Sequence, residues 1–195
     1  MSRSLRVILI LLLVGSCGAR TGGPPPSNLE DACVILDQRP QYARAFRATE
    51  RRWGVPPHVL MATIYQESKF DAKARTPFRW TLGIIPMGRI SSAYGFGQAL
   101  DGTWEEYRDD TRRFAARRDD IYDAADFMGW YMDRSSEKLG ISKHDTRNQY
   151  LAYHEGRGGY ARRSYRAKPW LLRVADKTAA RAETYKEQLR DCRRY

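Results

Sequence analysis

The residue best placed for acid–base chemistry in this chain is Glu67, which closes an apolar stripe. Leu60, Thr63, Ile64 and Glu67 follow i, i+3, i+4, i+7 spacing and so share one face of a helix. Two turns of that face suit a core, and the next position presents a carboxylate. Partial loss of water there favours the neutral acid and raises its pKa above the ordinary value of about 4.3. A carboxylic acid held protonated near neutrality can donate its proton to the bridging oxygen of a glycosidic bond. Geometry alone leaves the plainer reading open, a solvated glutamate at a helix end.

The elements that must position Glu67 are mainly helical. Pro40 to Trp53 reads as a charged amphipathic helix stopped by Gly54. Pro57 suits a first helical position, and that helix runs to about Lys69. Residues 70–97 carry Pro, Gly and aromatics without helical period, and read as loop with room for a small β-hairpin. Thr103 and Glu106 have capping-box spacing for a short helix. Asp119 to Leu139 forms a longer one, with Ile121, Ala125, Met128 and Met132 in one stripe and Gly140 as its stop. His144 to Glu155 and Lys168 to Arg190 complete the pattern. The expected fold is all-α with at most one small hairpin. Trp80, Tyr94, Phe96 and Tyr153 fall near the loop and helix ends, where aromatic faces suit pyranose rings. Trp104, Trp130, Tyr131 and Trp170 fall on helices and read as core.

Totals and termini narrow the setting. The chain has 195 residues, enough for one domain with one core, and its 42% hydrophobic content excludes wholesale disorder. Thirty-four basic against 23 acidic residues give +11, which favours anionic partners. Arg3 and Arg6 precede the apolar run Val7 to Val14, too short for the roughly 20 residues of a membrane span. Residues 1–16 therefore read as a secretion signal. Val14-Gly15-Ser16-Cys17 resembles the lipobox of bacterial lipoproteins, which implies a lipidated Cys17 and a membrane anchor. Gly18, not Asp, follows it, and in the lipoproteins that it resembles this implies the outer membrane. Residues 17–28, rich in Gly and Pro, read as a flexible tether, and 29–195 as the folded domain. An exported chain has little access to nucleic acid, so no nucleic-acid partner is expected; protein partners are not legible. Cys33 and Cys192 remain, one at each end of the domain, and in an oxidising compartment read as a disulfide or, failing that, as two free thiols. His58, His144 and His154 have no ligand spacing, so neither a metal nor another cofactor is expected.

Three short motifs then occur in order. Glu67-Ser68 resembles the Glu-Ser pair of the soluble lytic transglycosylase (SLT) family, whose glutamate is the sole acid and base. Gly95-Phe96-Gly97-Gln98, followed by Thr103, is similar to that family's Gly-Leu-Met-Gln stretch. Ala152-Tyr153-His154-Glu155-Gly156 resembles its Ala-Tyr-Asn-Ala-Gly. Each is weak alone, and the order of all three carries the likeness. It implies a lysozyme-like domain that cleaves the glycan strands of peptidoglycan and closes a 1,6-anhydro ring on muramic acid. Glu67 would be catalytic, with Ser68, Tyr94, Gly95, Gln98 and Tyr153 on the substrate side.

The chain departs from the family where Phe78 to Arg89 look inserted, where Phe96-Gly97 replace Leu-Met, and where His154 and Glu155 replace Asn and Ala. A second carboxylate at Glu155, about 6.5–9.5 Å from Glu67, would permit hydrolysis by a positioned water; the plainer expectation is that it faces solvent. The basic run from Arg157 to Arg166 reads as a loop able to meet stem-peptide carboxylates or, equally, as a solvated basic surface. A water-using muramidase resembling goose-type lysozyme and a non-catalytic glycan-binding lipoprotein are the competing readings.

Overall fold

The computed structural model describes residues 23–81 and 85–192. The expected leader 1–16, Cys17 and residues 17–22 of the tether lie outside the described residues, as does the Trp80 side chain. Among the described residues are seven α-helices: α1 (Ala32–Gln38), α2 (Pro40–Trp53), α3 (Pro57–Ser68), α4 (Asp101–Thr111), α5 (Ile121–Leu139), α6 (Thr146–Ala161) and α7 (Pro169–Asp191). A 3-10 turn at Ser164–Ala167 joins the last two. Strands β1 (Phe78–Thr81) and β2 (Ile85–Arg89) form an antiparallel hairpin with Phe78 opposite Arg89. The all-α class with one small hairpin is thus the observed fold, and the hairpin occupies the segment that looked inserted.

Local chemistry explains most helix ends. Asp31 caps α1, accepting from the Cys33 and Val34 amides, and Asp120 caps α5 from Tyr122 and Asp123. Gly54 and Gly140 end α2 and α5 in the left-handed region. The Thr103–Glu106 capping box does not form. Helix α4 starts earlier, at Asp101, whose amide donates to the Ser92 hydroxyl at 3.0 Å, so a distant side chain supplies the acceptor. Helix α1 carries Cys33, where a terminal helix is expected, but its bounds are not legible because seven residues hold too few turns to show a period.

Helix α3 is buried all round from Pro57 to Ile64, not along one face. It packs against α2, α5, α6 and α7 and forms the central post of the domain. Asp126 on α5 ties the surrounding helices together. Its carboxylate accepts from Arg52 and the Trp53 indole of α2, the Tyr107 hydroxyl of α4, and Arg113. A buried charge with four donors meets the condition under which burial is tolerated. Cys33 and Cys192 are disulfide-bonded, which fastens α1 to the end of α7.

Candidate active site

Glu67 stands near the C-terminal end of the buried post. Desolvation raises its pKa from 4.5 to about 7, and a hydrogen bond donated by the Tyr150 hydroxyl opposes part of that rise. The residue is half-buried, so a proton can leave and return. Directly after Ser68, Lys69 and Phe70 both take left-handed backbone, with φ of 53° and 60°. Such angles in residues other than glycine cost roughly 1–2 kcal/mol each. Phe70 is held there by full burial and by stacking on Tyr42 at 5.8 Å. This strained turn stops α3 just beyond the carboxylate.

The loop carrying the second motif is shaped by Gly95. Its φ is 80°, and a side chain there would meet the Arg118 carbonyl at 2.1 Å, so only glycine fits. Its amide donates to the Ala74 carbonyl at 3.0 Å. Gln98, also left-handed at φ 48°, spends its amide nitrogen on the Ala74 and Gly95 carbonyls, at 2.9 and 2.8 Å. The side-chain oxygen is therefore the group Gln98 can offer a ligand.

The third motif contacts the second and feels the charge of the first. The Tyr153 hydroxyl donates to the Gly97 carbonyl at 2.5 Å, and its ring packs edge-on to Tyr131 at 5.1 Å. Burial, followed by the charge of Glu67, keeps the Tyr153 phenol neutral by raising its pKa. Gly156 breaks α6 with φ 73° and ψ 156°, a region open essentially to glycine alone. A cavity of about 190 Å³ lies between the Gln98–Leu100 segment and the Tyr153–Gly156 segment, with Phe127 and Tyr131 also lining it. Glu67 does not line this cavity; Tyr153, whose phenol feels the charge of Glu67, does.

A family model of the transglycosylase SLT domain matches residues 5–192. The chain belongs to that family. No curated protein matches it.

Within this SLT domain, the expected site residues have separate fates. The hydroxyl of Ser68 donates to the Ile64 carbonyl at 3.2 Å and is buried, so it finishes the helix. Tyr94 is half-buried beneath Arg75, 4.0 Å from its ring, and its hydroxyl donates to Asp119 at 3.2 Å. The tyrosine that reaches Glu67 is Tyr150, which the sequence reading passed over. It lies one turn before Tyr153 on the same face of α6, and that spacing was the available signal.

Several other expectations need correction. Phe96 is fully buried and meets Tyr42 edge-on at 5.8 Å, so it supports the site from the core. Trp170, read as core, is 48% exposed because it is the second residue of α7, where the helix emerges from the 3-10 turn. Glu155 does not face solvent: its side chain is 4% exposed. It accepts from Lys168 and His154 at 2.7 and 3.2 Å and from the Ser164 hydroxyl. Burial alone would raise its pKa, but these partners outweigh burial and lower it, so Glu155 stays ionised. The basic run is not one loop, since α6 continues through Ala161. Arg157 turns inward, donating to Glu106 at 2.7 Å and lying over Tyr131 at 4.7 Å, while Arg162, Arg163 and Arg166 are exposed.

Proposed function

We propose that the protein is a lytic transglycosylase that cleaves the β-1,4 bond between N-acetylmuramic acid and N-acetylglucosamine in peptidoglycan. The observation that carries this reading is Glu67: an acid with a pKa of about 7, on a rigid buried helix, hydrogen-bonded by Tyr150, in a chain of the SLT family. Protonated Glu67 donates to the bridging oxygen as the bond to the muramoyl C1 breaks. The resulting carboxylate then takes the proton of the muramoyl C6 hydroxyl while that oxygen closes on C1. Glu67 is regenerated, no water is consumed, and the product ends in a 1,6-anhydro sugar. The substrate's acetamide stabilises the cationic intermediate, and the reaction as written uses no cofactor. A pKa near neutrality suits a group that must serve as acid and then as base.

Glu155 favours the lyase over the hydrolase. An inverting hydrolase needs a second carboxylate free to activate water, whereas Glu155 is occupied by Lys168, Ser164 and His154. We also assign the protein to the periplasmic face of the envelope, anchored by a lipid on Cys17 and exported by residues 1–16, on the strength of the lipobox-like sequence.

Mass spectrometry of peptidoglycan digested with a soluble form lacking Cys17, beside Glu67→Gln, tests the chemistry. Anhydro-muropeptides from the first and none from the second are expected. Reducing ends would make the enzyme a muramidase. Glycan bound but uncut by either form would make it a binding protein.

A further inference from the structure

A row of aromatic rings leads away from Glu67 to the surface. Tyr150 donates to the Glu67 carboxylate and is itself buried. The His154 ring lies 6.3 Å from Tyr150, and Trp170 lies 5.3 Å beyond His154 at an interplanar angle of 76°. Exposure rises along the row, ending in an indole left 48% open to solvent. Single exposed apolar side chains are ordinary on proteins. Trp170 differs in its position, next to His154, which lines the 190 Å³ cavity, and two ring-to-ring steps from the tyrosine that holds the candidate acid.

The end of this row is braced by a buried charge. One oxygen of Glu155 takes both His154 Nδ1, on α6, and Lys168 Nζ, which stands two residues before Trp170 at the entrance to α7. The other oxygen accepts from Ser164 in the 3-10 turn. A single ionised carboxylate thus fixes the imidazole and the backbone on which the indole is mounted. The carboxylate holds the imidazole and the indole packs against that imidazole, which makes a preorganised surface that loses little freedom when a ligand arrives. A flat indole left 48% exposed, packed against a ring that lines the cavity, suits the apolar face of an N-acetylated pyranose.

We propose that Trp170 and His154 form a distal sugar-binding shelf that extends the candidate active site, with Glu155 as its positioning residue. This rests on the proposed glycan substrate but not on the cleavage chemistry. The shelf grips a sugar of the strand removed from the scissile bond and sets how firmly long strands are held. It also gives Glu155 a role that is neither catalytic nor idle.

The test uses the Glu67→Gln protein, which cannot turn over, titrated with N-acetylglucosamine hexamer by calorimetry. Trp170→Ala should weaken hexamer binding by roughly tenfold, which is about 1.4 kcal/mol. Trp170→Phe keeps a flat ring and should retain most of the affinity. The indole fluorescence lost between the parent and Trp170→Phe should be the part that shifts on binding. With Glu67 intact, Trp170→Ala and Glu155→Gln should raise KM on long glycan strands while kcat stays near the parent value. Unchanged hexamer affinity in Trp170→Ala would overturn the shelf, and so would a loss confined to kcat. If hexamer binding depends on Trp170 while the intact protein cuts no peptidoglycan, the shelf stands and the enzymatic reading fails.

Discussion

Glu67→Gln should stabilise the protein at alkaline pH and change its stability little in acid. The reason is linkage between ionisation and folding. In the unfolded chain Glu67 loses its proton near 4.5, and in the folded protein near 7. Below 4.5 both states are protonated, and the group contributes nothing. As pH rises from 4.5 towards 7, the unfolded state sheds the proton while the folded state still holds it, so folding becomes progressively less favourable; above 7 the penalty is constant. At about 1.36 kcal/mol per pH unit, this interval corresponds to roughly 3 kcal/mol. Glu67 keeps part of its surface in water, so we expect about 2–3 kcal/mol. Glutamine has nearly the same shape and keeps an oxygen for the Tyr150 hydroxyl. Any cost of its buried NH2 group is common to every pH, so the change in the difference between the two proteins isolates ionisation. Urea unfolding of both, disulfide intact, at pH 4 and pH 8.5 gives the two values. A difference that is the same at both pH values would refute the argument that burial holds Glu67 protonated.

Two further outcomes follow from contacts of the site and of the fold. Tyr150→Phe removes a hydrogen bond that favours the Glu67 carboxylate, so the Glu67 pKa should rise by about one unit; the alkaline limb of the cleavage pH profile should move upward with it, and an unmoved limb would place Tyr150 outside the acid's environment. Replacing Cys33 and Cys192 together with serine should cost about 5 kcal/mol, because the cross-link spans 159 residues and its loss frees the unfolded chain; a melting temperature within a degree of the parent would contradict this.

Much of the fold was legible because it depends on near neighbours. The helix that presents Glu67 follows from Pro57 and the spacing of Leu60, Thr63 and Ile64, and helix stops follow from Gly54 and Gly140, where the backbone must turn left-handed. The motif glycines were legible as residues but not in their reason: at Gly95 it is the Arg118 carbonyl that leaves no room for a side chain, and at Gly156 the pairing of φ 73° with ψ 156°. The hairpin at 78–89 showed itself as a segment without helical period. Where a rule of the same kind failed, a distant group intervened: Ser92 took over the cap expected of Thr103 and moved the start of α4.

The parts of the site that needed the tertiary structure are those in which a side chain chooses between partners far away in sequence. Tyr150 and Tyr153 share a face of α6, and only the packing of α6 on α3 and on the glycine loop sends one to Glu67 and the other to Gly97. Phe96 and Trp170 exchange their expected environments because burial depends on what covers a ring: Tyr42 packs on a fully buried Phe96, while Trp170, against the His154 ring, stays 48% exposed. Glu155 could be read as a second acid or as a surface charge until Lys168 and Ser164 were seen on it. The sequence by itself determined the helical class, the candidate acid and the helix stops at Gly54 and Gly140, because periodicity and capping are properties of adjacent residues. The tertiary structure decided which hydroxyl holds the acid, which carboxylate is occupied and which ring is open, because desolvation and hydrogen bonding are set by groups that the chain brings together only when it folds.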